Sequence, residues 1–207
     1  MKKFISIIPL QDPLESAEYK AIDCDKAKAI CKSRFPIISL IANNVKEGEV
    51  IKLVINSIDN PVVVKNKKLF FEEVDALAAE INFKYDVSEI EKVDNEKTET
   101  HLKLFSDLLD EFEENDEIFA CITYGTKPLS VVVNMALNYA YKSFENVYIN
   151  TIIYGLITDR DLPQKGEIYD VTSLFYMDSI VNELAGLKIK NPKLTIREML
   201  NLNEKED

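Results

Sequence analysis

Histidine is almost absent from this chain: His101 stands alone among 207 residues. Chemistry built on a histidine base would rest on that one position, near the start of a predicted helix. Standing alone, His101 reads as a surface or packed residue rather than a catalytic base. Cysteine is scarce as well, and Cys24, Cys31 and Cys121 show no metal-ligand spacing. Cys24 and Cys31 are placed to share a helix face, whereas Cys121 sits in an apolar run and reads as a core thiol. An odd cysteine count without a framework suits a reducing compartment.

No apolar run reaches the length of a bilayer span, so no membrane partner is expected. Met1-Lys-Lys followed by Phe4 to Leu10 imitates a signal peptide. Its apolar part is too short, and Gln11 to Glu15 is no small-residue cleavage site. The segment reads as a buried first strand and the chain as cytoplasmic. Positive charge is in deficit too: 25 Lys and Arg face 36 Asp and Glu, a net charge of −11. That balance gives no general attraction for duplex nucleic acid, whose phosphates are bound by lysine and arginine. A small anion can still be held by a locally focused site. Gly-x-Gly-x-x-Gly after the first strand, the P-loop pattern and Gly-x-Ser-x-Gly are all missing. No cofactor and no metal is therefore expected. The acidic cluster Glu111, Glu113, Glu114 and Asp116 reads as a solvated helix end.

What is present is an alternation of strands and helices with 46% hydrophobic residues, enough for a core. Strands are predicted over 4–10, 50–56, 82–85, 117–122, 147–154 and 168–171. Helices are predicted from Asp23 or Asp25 to about Ser33, then over 70–81, 98–112, 129–143, 172–184 and 195–200. Residues 37–42 are ambiguous between helix and strand, and 201–207 read as a solvated tail. The fold class is α/β, Rossmann-like, with a mostly parallel central sheet and helices on both faces. Residues 1–186 are expected to form a single ligand-binding domain and 187–207 a short helical extension and tail.

The strand ending at Ile122 empties into Thr123-Tyr-Gly-Thr-Lys-Pro128, and a long amphipathic run follows. A strand, a tight polar turn and a helix aim backbone N–H groups and a helix dipole at one point. Gly125 permits close backbone approach, Lys127 adds a charge, and Pro128 suits the first helical turn. Such a turn holds a phosphate or another anion. The plainer alternative stays open: Thr126 as an N-cap and Gly125 as a turn residue. In a parallel sheet the loop from Pro9 to Pro13 would converge on the same end of the strands.

FACITYGTKPLSVVVNMALNYAY (Phe119 to Tyr141), INTIIYG (Ile149 to Gly155) and IYDVTSLFYMDSIVNELA (Ile168 to Ala185) resemble the CRISPR-associated Rossmann-fold family, CARF. The first strand and FFEEVDALAAEI (Phe70 to Ile81) fit the same family, so the resemblance covers nearly the whole chain. It implies a receptor for cyclic oligoadenylate, the messenger of type III CRISPR systems, most simply cyclic tetra-adenylate, bound across the axis of a homodimer. By position, the family's ligand loops match Pro9, Leu10 and Gln11, and Thr123, Tyr124, Gly125, Thr126 and Lys127. Tyr154 would line the same rim, or simply pack at a strand end. The resemblance admits two activities. One is a ring nuclease that needs no metal, with Lys127, Gln11 and Thr123 as its catalytic residues. The other is a sensor without chemistry that signals to a separate effector. An attached ribonuclease domain is not expected, because no arginine precedes His101 at the family's Arg-x4–6-His spacing. A third reading, outside the family, is an α/β enzyme acting on a phosphorylated metabolite.

Overall fold

The computed structural model describes residues 1–27, 31–159, 161, 164–187 and 189–200. Its strands are β1 (Lys2–Ile7), β2 (Ala17–Ala21), β3 (Cys31–Ser33), β4 (Val50–Ile58), β5 (Lys84–Lys92), β6 (Glu117–Cys121), β7 (Tyr148–Asp159) and β8 (Gln164–Asp170). Its helices are α1 (Ile37–Asn44), α2 (Pro61–Ile81), α3 (Thr98–Leu109), α4 (Lys127–Ser143), α5 (Thr172–Gly186) and α6 (Pro192–Met199). The chain is therefore α/β, as the alternating pattern predicts. Among the described residues no helix is long and apolar enough to cross a membrane. Two compact units are distinguished, Met1–Thr172 and Ser173–Asp207. The tail 201–207 lies outside the described residues.

Eight strands form one sheet in the order β3-β2-β8-β7-β6-β1-β4-β5. The five from β7 to β5 are mutually parallel. β8 turns back antiparallel to β7, β2 runs parallel to β8, and β3 closes antiparallel to β2. β1 leads outward to β4 and β5 on one side, while β6 and β7 lie on the other. The strand order reverses between β1 and β6, and ligands of open α/β sheets bind outside the carboxyl ends at that point. β2 lies beyond β7 and β8, so the loop leaving β1 crosses the carboxyl ends of β6 and β7 to reach it.

Both faces of the parallel strands are covered, which is why β1, β4 and β6 read as nearly continuous apolar runs. Phe4, Leu53, Phe119 and Cys121 share one apolar cluster with Ile38 and Ile41 of α1 and Phe70 and Val74 of α2. Phe4 stacks on Phe119 at 4.7 Å between ring centroids. Their chain neighbours Ile5, Val54, Ile118 and Ala120 are equally buried but fall outside that cluster. Alternation puts them on the opposite face, where α3 and α4 supply Leu104, Leu108, Val133 and Leu137.

Several elements depart from expectation. Residues 17–33 hold β2, a 3-10 turn at Asp25–Ala27 and β3 in place of a helix from Asp23 or Asp25 to Ser33. Residues 28–30 of that predicted helix lie outside the described residues. Ala17 and Tyr19 are buried while Glu18 and Lys20 are exposed, a strand alternation. Asp23 accepts a hydrogen bond from Asp170 N at 2.9 Å and ties down the end of β8. α2 starts at Pro61, nine residues earlier than expected: Asn60 accepts from Val62 N at 2.9 Å and caps it. The ambiguous run 37–42 is helical. β5 runs from Lys84 to Lys92, well beyond the predicted 82–85.

Candidate functional site

β1 delivers Pro9, Leu10 and Gln11 to the carboxyl end of the sheet, and α2 fixes them there. The fully buried Asn66 donates from Nδ2 to Pro9 O and to Gln11 O, each at 2.9 Å. Farther along, Lys65 pairs with Asp12 at 2.6 Å. Arg34 Nε donates to Leu14 O at 3.2 Å. Four consecutive anchors hold a loop that its own sequence leaves irregular. Leu10 is 42% exposed, and Gln11 is exposed as well.

β6 delivers Thr123 to Lys127, and the structure divides these five residues by task. Thr123 Oγ1 accepts from Gly155 N at 2.8 Å and lies 3.1 Å from Cys121 Sγ. That hydroxyl latches β6 to β7. A side chain at Gly155 would place its Cβ 2.6 Å from Pro36 Cγ, so the close approach of Pro36 requires glycine there. Tyr124 folds inward: its hydroxyl donates to Arg34 O at 2.5 Å and its ring meets Phe35 edge-on. Burial, and then the neighbouring Tyr19, push the Tyr124 hydroxyl far above its usual range, so it stays protonated. Gln11 and Tyr124 do come together. They line a polar cavity of about 370 Å³ with Asp12, Leu14, Ile157 and Gln164.

At the head of α4, Gly125 and Lys127 are exposed and Thr126 is half-buried. Gly125 has φ +94°, with Ile7 and Leu129 packed beneath it. Thr126 occupies the N-cap position of α4, as the plainer reading has it, and its carbonyl accepts from Leu129 N at 3.0 Å, but its side chain makes no capping hydrogen bond. Among the described residues, the backbone N–H groups of Gly125, Thr126 and Lys127 have no acceptor and the Lys127 ammonium has no ion-pair partner. Exposed amides, a dipole end and an unpaired cation are groups that can hold an anion.

Residues beyond the predicted set meet this turn. Thr126 Oγ1 donates to Glu96 Oε2 at 3.1 Å. Lys92, its side chain only 2% exposed, pairs with Glu96 Oε1 at 2.9 Å. His101 Nε2 lies 3.1 Å from Glu96 Oε2 without the alignment of a hydrogen bond, and neither ring nitrogen has a hydrogen-bond partner among the described residues. The hydrogen bond from Lys92 holds the Glu96 carboxyl below its ordinary range against the opposing pull of burial, and Thr126 adds to it. His101 is thus packed, as its isolation suggests, yet one side chain away from the turn.

Tyr154 departs from its expected place. β7 does not end there but continues to Asp159, because β8 pairs with its second half. Tyr154 is therefore mid-strand, opposite Tyr169 and 40% exposed. Neither Tyr154 nor Lys127 lines the polar cavity that holds Gln11. A more apolar depression of about 220 Å³ between β5 and α3, lined by Ile90, Val93 and Leu104, contains no predicted site residue.

α4 carries two apolar faces. Val132, Val133, Ala136, Leu137 and Ala140 are buried, whereas Val131, Met135 and Tyr139 are 58%, 52% and 48% exposed at a spacing of four. The outer stripe begins one turn from Lys127. No protein-family model matches this chain, and no curated protein matches it in sequence.

Proposed function

We propose that this protein is a receptor for a cyclic oligoadenylate, held across a two-fold axis between two copies of the chain. The observation that carries the reading is the Gly125-Thr126-Lys127 turn: exposed, at the switch point, with unpartnered amides and an unpaired cation. It reconciles anion binding with a net charge of −11, because the attraction is confined to one bend. The Val131-Met135-Tyr139 stripe supports the dimer, since an exposed apolar row on a helix calls for cover. A two-fold pair would set two such turns on one closed ring, whose own symmetry they match. The resemblance of Phe119 to Tyr141 to the CARF family names the ligand class, and with it a role in type III CRISPR defence.

A second reading gives the same site a reaction. A ribose 2′-hydroxyl attacks the adjacent phosphorus, the P–O5′ bond breaks, and a 2′,3′-cyclic phosphate and a 5′-hydroxyl remain. Lys127 would stabilise the extra charge on phosphorus, and the exposed Gln11 would orient the hydroxyl. Thr123 is less suited than the sequence suggests, because its oxygen is already engaged by Gly155 N.

The test is incubation with labelled cyclic tetra-adenylate and cyclic hexa-adenylate in the presence of EDTA. Retention of one ring per two chains, weakened tenfold or more by Lys127→Ala, is the expected result. Linear product above the Lys127→Ala control makes the protein a ring nuclease; an intact bound ring makes it a sensor. Binding no tighter than that of ATP or AMP would sink both and leave the metabolite enzyme.

A further inference from the structure

We propose that Glu96 is a specificity-determining residue, whose fixed carboxylate beside the turn at the head of α4 makes the site select phosphodiesters and reject phosphomonoesters. The inference rests on the receptor reading above. Its starting point is an apparent contradiction: a carboxylate sits 3.1 Å from Thr126 Oγ1, at the positive end of a helix where an anion would dock.

Glu96 is not free to leave. Lys92 is bonded to it at 2.9 Å, and that lysine side chain is 2% exposed. Withdrawing the carboxylate would strand a buried ammonium, which is strongly unfavourable. His101 Nε2 lies against the other carboxylate oxygen at 3.1 Å. An entering phosphate therefore meets Glu96 in place. On β4, Asn56 stands beside Ile7 in register, and Ile7 is one of the two side chains that support Gly125. Asn56 is 2% exposed, and both of its amide atoms lack a hydrogen-bond partner among the described residues. Buried amides are normally satisfied, so Asn56 leaves an open hydrogen-bonding position on the strand beside Ile7.

The charge arithmetic sets the selectivity. Exposed amides and Lys127 attract an anion, and the fixed Glu96 carboxylate beside Thr126 offsets part of that attraction in proportion to the ligand's charge. A phosphodiester carries one negative charge, whereas a phosphomonoester carries nearly two at neutral pH. Relative to an uncharged side chain at that position, Glu96 should cost the second charge on the order of tenfold in affinity at such distances near a protein surface. A closed ring contains only diesters. Mononucleotides and chains with a 5′-phosphate would be turned away by the same group that lets the ring in.

The experiment compares cyclic tetra-adenylate with linear tetra-adenylate bearing a 5′-monophosphate, by calorimetry, on the wild type, Glu96→Gln and Lys127→Ala. Glu96→Gln should strengthen binding of both ligands, that of the 5′-phosphorylated chain by about tenfold more than that of the ring. Lys127→Ala should weaken both. A second measurement needs no variant: the wild-type preference for the ring should shrink between about pH 7.5 and about pH 5.5, as the monoester loses its second charge. A ring-to-linear ratio unmoved by both Glu96→Gln and pH overturns this inference and leaves the receptor reading standing. A wild type that binds neither ligand overturns both.

Discussion

Asn66 holds Gln11 by its backbone: one buried amide nitrogen serves both Gln11 O and Pro9 O at 2.9 Å. Two carbonyls of the loop after β1 thus depend on a single side chain of α2. Replacing Asn66 with Leu would leave both without that donor, Pro9 O in a buried setting and Gln11 O in a partly buried one. The expected loss is about 2–4 kcal/mol, from the cost of unpaired buried groups, read as a lower urea midpoint. Asn66→Asp should be at least as harmful, because a carboxylate offers those oxygens no donor and adds a buried charge. Cyclic tetra-adenylate affinity should fall with the loop even though Asn66 contacts only the protein.

Gly125 makes a sharper prediction. Its φ of +94° is unfavourable for any residue with a Cβ, and a Cβ there would lie 2.7 Å from Leu129 Cδ2 and 3.1 Å from Ile7 Cγ2. Gly125→Ala should cost about 1–3 kcal/mol from backbone strain alone. The Leu129 methyl is the end of a mobile side chain, so part of the clash can relax. The backbone term cannot, and the Gly125→Ala/Leu129→Val pair should not regain wild-type stability in thermal melts.

Those two residues also mark where the sequence was and was not informative. The turn at Gly125 is a local signal, because the strand, bend and helix that make it are contiguous, and its exposure and Lys127 follow from that order. Asn66 and Glu96 carry no such signal. Asn66 meets Gln11 across 55 positions and Glu96 meets Thr126 across 30, contacts that only the sheet register creates. The fold shows the same division. β1, β4 and β6 are legible as apolar runs because both their faces are buried. β5, at the sheet edge, alternates in exposure along most of its length and hides as a polar segment. β2 is five residues and β3 three, and both find their partners across the sheet rather than next to β1. The start of α2 is hidden for a different reason: Asn60-Pro61, just past the end of β4, is a cap followed by a proline at the first turn.

Acid should loosen the amino-terminal edge of the sheet through Glu49. Both of its carboxylate oxygens lie 2.8 Å from Lys2 Nζ, and Oε2 also accepts from Lys46 N at 2.9 Å. Burial alone would raise its pKa, but the hydrogen bonds from Lys2 and Lys46 and the Lys2 charge outweigh it and hold the group below its ordinary value. The folded value lies under the unfolded value of about 4.3. Its contribution is therefore present above that pH and disappears as pH falls through the folded value. Because the carboxylate is partly exposed, the expected effect is small, about 1 kcal/mol or less. Urea midpoints measured from about pH 6 down to about pH 3 should fall less steeply for Glu49→Gln than for the wild type.

In the proposed two-fold pair, the outer stripe of α4 is the surface that meets the second copy. Val132, Val133 and Leu137 already supply the face that packs inward, so Val131, Met135 and Tyr139 are surplus to the fold of one chain. Tyr139 is steadied in place by Phe105 and Phe144, with ring centroids at 6.3 and 6.5 Å, which keeps the stripe ordered without hiding it. A glutamate in its centre, Met135→Glu, would put a charge where a partner's apolar surface should rest while disturbing little within the chain. The melting temperature at low protein concentration should move by only a few degrees, as for other surface substitutions. The sedimentation mass should drop from twice 23.7 kDa to 23.7 kDa, and ring affinity should fall together with it. A wild type that sediments as a single chain at all concentrations, with or without the ring, would remove the two-fold arrangement on which the paired turns depend.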